Sequence, residues 1–590
     1  MARTGDNDEV SEGLAGERAA DARRPVVVVV GGGISGLAAA YEASGGTRPS
    51  GAGGPVVHLL DAGPRPGGVL RAERIDPPPP EGFPVGLPRR LVDLGPDGFL
   101  ARRPEAETLC REIGLGPELM PIGASGASVW ARGRRRALPE GLVLGVPSRF
   151  WPLARSGVVG LGGSLRVLLD VVSPRPDLRG PLGDRAVGPL VRRKLGRRVV
   201  QTLAGPLIGG IHAGDVSDMS AASVFPLLLE ASHRRGSLMR SLRLALARGA
   251  SPTGGPAGPS GEPTAPTPAP APAAAAAAAA PSPPRPMFWT LRDGVASLPD
   301  RLTAVLEDRG VSIHTDTTVT ALERASGDPW RWRVHAGRRT IDADAVILAV
   351  PTPVAGALLE AHDPETAGLL RGIDYASVAV VTLSYPASAL ERPVGGTGLL
   401  VPDRSRRPKG LGHGDDPYFL VTACTYLSQK WPHLARSGEF LVRASVGRFQ
   451  DRRADALTDT ALIERVVEEV AVLVGLDGSP TSSTVTRWPG SFPQYRVHHQ
   501  LRVGAIESSL TRLGGLAVAG AAYHGVGIPA CVGSGRAAAR AVIDQLAVAA
   551  ESRAAESRAA ESRAAESPAA PTPAAGTTGA GSRAEAGPAQ

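Results

Sequence analysis

Five consecutive valines, Val26 to Val30, open the first strongly patterned stretch, with no polar residue among them. A run of this kind predicts a strand buried on both faces, as in a parallel sheet covered by helices. Gly31, Gly33 and Gly36 follow, and then Leu37 to Ala43 continues with helix-forming residues, so the pattern is strand, tight corner, helix. Val56 to Leu60 predicts a second strand, ending at Asp61. Val311 to Val319 predicts a third, and Ile341 to Val350 a further buried strand running into a loop led by Pro351. Near the end, Leu516 to Gly520 reads as a strand, and Gly525 to Pro529 as a tight loop entering a helix from Gly533 to Ala547. Strands separated by helical stretches predict an α/β class, with the chain beginning and ending in one sheet.

Three stretches fall outside this pattern. Met1 to Arg24 is polar, with six acids against four arginines. Residues 250–286 form a Pro/Ala/Gly run that includes eight alanines, Ala273 to Ala280, bracketed by Pro272 and Pro281. Eight alanines are too few to hold a helix without packing. Glu551 to Gln590 opens with Glu-Ser-Arg-Ala-Ala repeated three times; a period of five matches neither a helix nor a heptad, so a solvated tail is expected. The insertion and both tails are expected to be disordered, and what remains is ample for a large core.

Composition narrows the class. Hydrophobic residues make up 42% and charged ones 21% of the 590, which excludes collagen-like and wholly disordered chains. Cys110, Cys424 and Cys531 are isolated and odd in number, so neither a disulfide framework nor a zinc site is expected, no metal is assigned, and a reducing cytoplasm is the default. The chain carries a net +8, and both tails are acidic, so the folded body is more basic still. Such a body attracts polyanions. With 4% aromatics and no interleaved motif, nucleic acid is not an expected partner. Arg23-Arg24 before the Val26 to Ala40 run resembles a secretion signal superficially, but six upstream acids and three successive glycines inside the run argue against export.

The first corner carries the chemistry. In Gly31-x-Gly33-x-x-Gly36, Gly31 permits the tight turn, Gly33 lets the backbone approach a pyrophosphate, and Gly36 lets the helix pack close to the sheet. The phosphates would lie on the helix N-terminus at Gly32, Ile34 and Ser35, where unpaired amides point outward. Asp61 at the end of the second strand is placed to accept hydrogen bonds from an adenosine ribose; the gap from Gly36 is long, and Gly45 to Gly54 accounts for it as a surface insertion.

Asp61-Ala62-Gly63-Pro64-Arg65-Pro66-Gly67-Gly68 extends the fingerprint by an Arg-x-Gly-Gly step. It resembles the dinucleotide motif of flavoproteins of the amine oxidase and protoporphyrinogen oxidase superfamily, which nicotinamide dehydrogenases do not carry. Gly205-Pro206-Leu207-Ile208-Gly209-Gly210-Ile211-His212-Ala213-Gly214-Asp215 is similar to a Pro-Leu-x-x-Gly-Ile-Tyr-Ala-Gly-Asp segment of bacterial protoporphyrinogen and coproporphyrinogen oxidases. Tyr375 to Ala379, Cys424 to Trp431, Arg487-Trp488, Pro493-Gln494-Tyr495 and Gly525 to Cys531 resemble further segments of that family, over roughly Pro25 to Leu546 outside the insertions. Departures are His212 for a usual Tyr, Ala530 for a usual Asp, and His498 for a usual Gly.

The resemblance implies FAD as cofactor, in a discontinuous Rossmann-like domain beside an α+β substrate-binding domain and a helical subdomain. The implied segments are 25–103, 287–360 and 501–549 for FAD, 104–249 for the helical and substrate-binding part, and 361–500 for the substrate domain, with 1–24, 250–286 and 550–590 outside them. Implied FAD contacts, besides those above, are Gly95, Pro96, Asp97, Gly98, Val319, Trp488, Gly520, Val526, Gly527 and Ile528. Gly210 is implied to face the substrate with its carbonyl; read from the residues alone it is equally a helix-terminating turn.

The implied reaction is oxygen-dependent, six-electron oxidation of a porphyrinogen in haem synthesis, with coproporphyrinogen III preferred over protoporphyrinogen IX and hydrogen peroxide as by-product. No catalytic side chain is assigned, because the cofactor carries the electron transfer. A flavin amine oxidase and a non-catalytic flavin-binding protein are the alternatives. Arg132, Arg134, Arg135 and Arg136, beside a strand at Val129-Trp130, read as a solvated face or as anchors for propionates. His212, His433, His498 and His524 read as packed or surface residues. Trp151, Leu153 and the apolar run after Gly157 read as core, with peripheral membrane contact the other reading; oligomeric state is left open.

Overall fold

The computed structural model describes residues 24–47, 54–75, 90–171, 183–234, 236–248, 286–325, 331–408, 410–412 and 416–566. The expected N-terminal tail up to residue 23, nearly all of the Pro/Ala insertion, the middle of the 45–54 insertion and residues 567–590 lie outside them.

The valine run forms the strand Val26–Val30 at the centre of a five-stranded parallel sheet. Its neighbours are Val56–Leu60, then Ser312–His314 on one side, and Ala345–Leu348, then Leu516–Val518 on the other. In chain order this is 3-2-1-4-5, the doubly wound arrangement in which ligands bind beyond the strands' carboxyl ends. Alternate valines serve different cores: Val27 and Val29 pack toward the helix Ile34–Ala43, and Val28 and Val30 toward Leu348, Trp332 and Leu510. Four buried valines in succession, Val27 to Val30, with no polar gap require apolar cover on both faces, and the fold supplies it.

A mixed seven-stranded sheet makes the second domain. From one edge it runs Ser482–Pro493, Tyr375–Pro386, Glu439–Val446, Val421–Tyr426, Gly398–Leu400, Ser128–Ala131 and Arg134–Ala137. All pairs are antiparallel except Gly398–Leu400 with Ser128–Ala131. The last two strands come from the largely helical 104–249 segment, so the sheet is completed from far away in sequence. Helices between Phe150 and Ala247 enclose their own core around Leu203, Phe225 and Leu228.

Several boundaries differ from the sequence reading. Val311 to Val319 is two strands: after His314 the polar Thr315-Asp316-Thr317-Thr318 turns, with Asp316 at φ +49°, into the antiparallel strand Val319–Arg324. Ile341 to Val350 is likewise divided at Asp344. There Arg339–Ala343 closes an antiparallel hairpin, the Asp344 amide donates to the Val26 carbonyl (2.8 Å), and its carboxylate accepts from the Val26 amide (2.7 Å).

The last helix begins at Ile528, with Pro529 in the first turn where a missing N–H is harmless, and runs to Glu566, well past Ala547. The Glu-Ser-Arg-Ala-Ala repeats from Glu551 are thus helical and not a solvated coil. A period of five deprives them of one constant packing face, but Ala, Glu and Arg are strong helix formers. No Gly or Pro intervenes after Gly535, so a helix nucleated by packing propagates through them.

Candidate functional site

The glycine corner sits at the carboxyl end of the central strand. Gly31 adopts φ +103° and its amide donates to the Leu60 carbonyl at 2.7 Å, so the turn is locked to the second strand. A Cβ on Gly36 would overlap the Gly31 carbonyl oxygen. A Cβ on Gly33 would meet nothing within 4 Å, because this position faces open space. Gly33 is the N-cap of Ile34–Ala43, and no side chain caps that helix. Its first-turn amides therefore point at a cradle suited to an anion.

The second glycine pair closes the cradle. Gly67 donates to the Gly32 carbonyl at 2.8 Å, and Gly68 backs onto Gly33. Asp61 accepts from the amides of Gly32 and of Gly63, the latter at 2.7 Å, leaving each carboxylate oxygen a further lone pair. Ala62 follows within the same turn, and Arg65 reaches Asp300 at 3.8 Å. The Thr317 amide donates to the Asp61 carbonyl at 2.8 Å and the Asp316 amide to that of Gly63 at 2.9 Å. These bonds bring the entry to Val319 beside the acidic loop.

The 94–98 segment crosses from this domain to the other sheet. The Trp488 indole donates to the Leu94 carbonyl (3.1 Å), and a Cβ on Gly98 would meet Trp431 at 2.5 Å. Pro96 lies between them, half-buried. Asp97 pairs with Lys430 at 2.8 and 3.0 Å. Burial would raise its carboxyl, but Lys430 and Arg443 outweigh that and hold it at about 2. Asp93, nearby, is pushed up to about 7 by burial despite amides donated by Ala296 and Val295. Arg443 donates to the carbonyls of Asp93 and, at 3.0 Å, of Gly95.

The C-terminal loop supplies the third wall. The Gly520 amide donates to the Ser534 hydroxyl at 3.1 Å, and the Cys531 amide to the Gly527 carbonyl at 3.0 Å, where Ile528 opens the long helix. Val526 packs against the helical core, tying this loop to the substrate side.

Gly210 lies in the last turn of the helix Gly205–His212, with Ala213 left-handed at its C-cap. The amides of Ala213 and Gly214 both donate to the Gly209 carbonyl, so neither satisfies that of Gly210, which is exposed. Gln494 donates to the His212 carbonyl at 3.0 Å, and the Tyr495 hydroxyl donates to the Ala521 carbonyl. Gly210 thus belongs to a terminating turn, and that turn is stitched to the 520–528 loop. His212 and His499 flank Tyr495, with ring centroids 5.8 and 4.1 Å away, and burial holds each imidazole down to about 4.

Other expected groups lie elsewhere. Arg134 to Arg136 occupy the edge strand opposite Trp488, about six strand spacings or roughly 29 Å across the sheet. His524 pairs with Glu507 at 2.7 Å, and His433 is half-buried near Asp97 and Asp293. His498 holds φ +72°, which explains why glycine suits that place. The apolar run after Gly157 divides. Leu153, Val158 and Val159 are core, but Trp151 is exposed on the helix Phe150–Ser156, which buries Leu153, and Leu161, Leu165 and Leu168 are exposed because the helix Gly160–Leu168 buries its Gly160, Gly163 and Val167 face.

Sequence reasoning overlooked Gly535, where a Cβ would overlap the Ser35 carbonyl oxygen at the crossing of the first and last helices. The signal was present as Gly533-Ser534-Gly535 inside an alanine-rich helix. Arg443 was invisible, hidden in an apolar strand.

The profile of the family described as flavin containing amine oxidoreductase matches residues 34–543 of this chain. The chain belongs to that family. Its members bind FAD, and the uncapped helix, the open Gly33 cradle and Asp61 fit the pyrophosphate and ribose of that cofactor. The chain is 33% identical to a coproporphyrinogen III oxidase of Propionibacterium freudenreichii subsp. freudenreichii, covering 90% of this chain and 93% of that one. It is 30% identical to a protein of the same name from Bacillus subtilis (strain 168), covering 87% and 96%. A crystal structure from Exiguobacterium sp. 255-15, provisionally named a protoporphyrinogen oxidase, superposes with a TM-score of 0.69 at 27% identity, covering 89% and 99%. Among the described residues no helix is long and apolar enough to cross a membrane.

Proposed function

We propose that this FAD-dependent oxidoreductase converts coproporphyrinogen III to coproporphyrin III, with dioxygen as final acceptor. Its support is the relationship to named coproporphyrinogen III oxidases, at 30–33% identity across 87–90% of the chain. One observation supports it: among the described residues the Ala213 and Gly214 amides bond Gly209 and leave the exposed Gly210 carbonyl without them, in a turn that Gln494 and Tyr495 tie toward the 520–528 loop. FAD bound in the cradle supplies a two-electron acceptor that dioxygen reoxidises.

The chain's own residues bind and orient. Gly31 to Gly36 and Gly67-Gly68 receive the pyrophosphate, Asp61 the ribose, and Val319 the adenine end. Arg65, Gly95 to Gly98 and Trp488 border the same cofactor, as do Gly520 and Val526 to Ile528. The Gly210 carbonyl accepts a hydrogen bond from the macrocycle. His212, held neutral by burial, adds no charge beside it. Removing six electrons and six protons takes three rounds, each consuming one dioxygen and releasing one hydrogen peroxide.

The exposed face of Leu161, Leu165 and Leu168 is where contact with a lipid surface would form. Aerobic assay of the flavin-loaded protein with both porphyrinogens tests the main reading. Porphyrin fluorescence is expected to grow faster with coproporphyrinogen III, with three peroxides per porphyrin. Oxidation of a primary amine, and of neither porphyrinogen, would overturn it.

A further inference from the structure

The sheet edge farthest from Trp488 borders a cleft of about 1040 Å³. Its walls are the strand Arg134–Ala137, the loop reaching Ser148, and the helices Phe150–Ser156 and Leu238–Ala247. Among the described residues eighteen line it; seven are arginines and Glu140 is the one acid. Arg136 directs its guanidinium to the carbonyls of Ala131 (3.2 Å) and Ser156 (3.5 Å), and Arg135 lies near the Tyr426 hydroxyl. Arg149, Arg155, Arg240 and Arg243 are exposed, and among the described residues none has a carboxylate partner. Burial, and then the neighbouring Arg134 and Arg132, pull the Arg136 guanidinium below its ordinary value.

The cleft is also apolar. Trp151 is 68% exposed, an unusual position for an indole, and Phe150 meets it edge-on at 5.4 Å. A small anion such as phosphate would use the arginines and leave the rings wet. A bilayer is flat and cannot fill a recess, and the volume lies at the upper end of the about 300–1,000 Å³ common for small-molecule sites. The occupant that uses every wall is a rigid disc with several carboxylates: the ring stacks on Trp151, and the acids take the guanidinium forks.

We infer that this cleft is a second tetrapyrrole site, binding the fully oxidised porphyrin tetracarboxylate in preference to the porphyrinogen. The preference follows from shape, since saturated bridge carbons pucker the porphyrinogen whereas the conjugated porphyrin is flat. The inference rests on the proposed function for the identity of its ligand. It places product binding roughly 29 Å from Trp488, reckoned across the sheet, and clear of the flavin cradle.

The test is a fluorescence titration of flavin-loaded protein with coproporphyrin III. Wild type is expected to take two equivalents per chain, and the triple variant Arg155→Glu, Arg240→Glu, Arg243→Glu only one. The lost equivalent should be weakened about a hundredfold or more, as loss of several charge-assisted hydrogen bonds demands. Turnover of coproporphyrinogen III in the variant should stay within about twofold of wild type, since the altered side chains lie outside the flavin cradle. Two equivalents retained in the variant, or one in wild type, overturns the site. Hydrogen exchange of wild type with and without coproporphyrin III covers the case of a variant that fails to fold. Slowed exchange at residues 148–156 and 237–243 supports the site, and unchanged exchange overturns it. Loss of flotation on phosphatidylcholine vesicles containing phosphatidylglycerol, with both porphyrin equivalents kept, would assign the arginines to lipid and also overturn it. Absent turnover of coproporphyrinogen III refutes the proposed reaction while the titration still decides the cleft.

Discussion

Gly33→Ala and Gly36→Ala remove two glycines of one corner, yet the structure predicts opposite consequences. Gly33 has φ −66° and ψ 173°, which any residue adopts, and its added methyl would meet nothing within 4 Å. Without cofactor the fold should be unharmed, even stabilised by about 0.4–1 kcal/mol through lower unfolded-state entropy. The methyl would instead occupy the space through which a pyrophosphate reaches the first-turn amides. Losing two hydrogen bonds to a charged group, at about 1.5–3 kcal/mol each, gives about 3–6 kcal/mol, or roughly 10²- to 10⁴-fold weaker FAD binding. At Gly36 the methyl would overlap the Gly31 carbonyl oxygen, a backbone atom that cannot rotate away. The helix must shift, at a cost of at least about 3 kcal/mol. Thermal unfolding of both apoproteins, with flavin titration of each, separates the effects. The reasoning is refuted if Gly33→Ala binds FAD within threefold of wild type, or if its apoprotein unfolds as early as that of Gly36→Ala.

Further expectations concern the surroundings of the cradle. Asp97 is held at about 2, below its ordinary value, so its contribution to stability is complete above pH about 4 and is lost as pH falls toward 2. Lys430→Met should therefore cost about 3–5 kcal/mol at neutral pH and flatten this acid limb, as read from urea midpoints between pH 2 and 7; an unchanged slope counts against the pair. His498→Gly should stabilise the fold by about 1 kcal/mol, because φ +72° strains any side chain there; a lower melting temperature would contradict this. Gly535→Val should separate the first and last helices and reduce melting temperature and flavin retention together, so a stable, yellow variant would disprove the close crossing. His212 is held near 4 by burial, so His212→Gln should leave the pH dependence of turnover between pH 6 and 8 unchanged.

The sequence by itself determined the central strand, the glycine corner and the acid at the end of the second strand. These depend on neighbours in the chain: a run of β-branched residues admits few backbone states, and a tight turn into a helix needs glycine wherever it stands. The same local logic failed where partners are distant. The division of Ile341 to Val350 came from Asp344 bonding the Val26 backbone, and the hairpin of Ser128–Ala131 and Arg134–Ala137 joined its sheet through Gly398–Leu400, about 270 residues later. The helical tail was misread because its period of five matches no packing face, which a helix growing from a docked start does not need. Tertiary structure alone decided that the Gly210 turn, Tyr495 and the 520–528 loop meet, and that the Arg134 to Arg136 run lines a cleft away from the flavin cradle. Hydrogen bonds and charge act across space over a few ångströms, and no spacing along a chain reports which distant segments the core will bring that close.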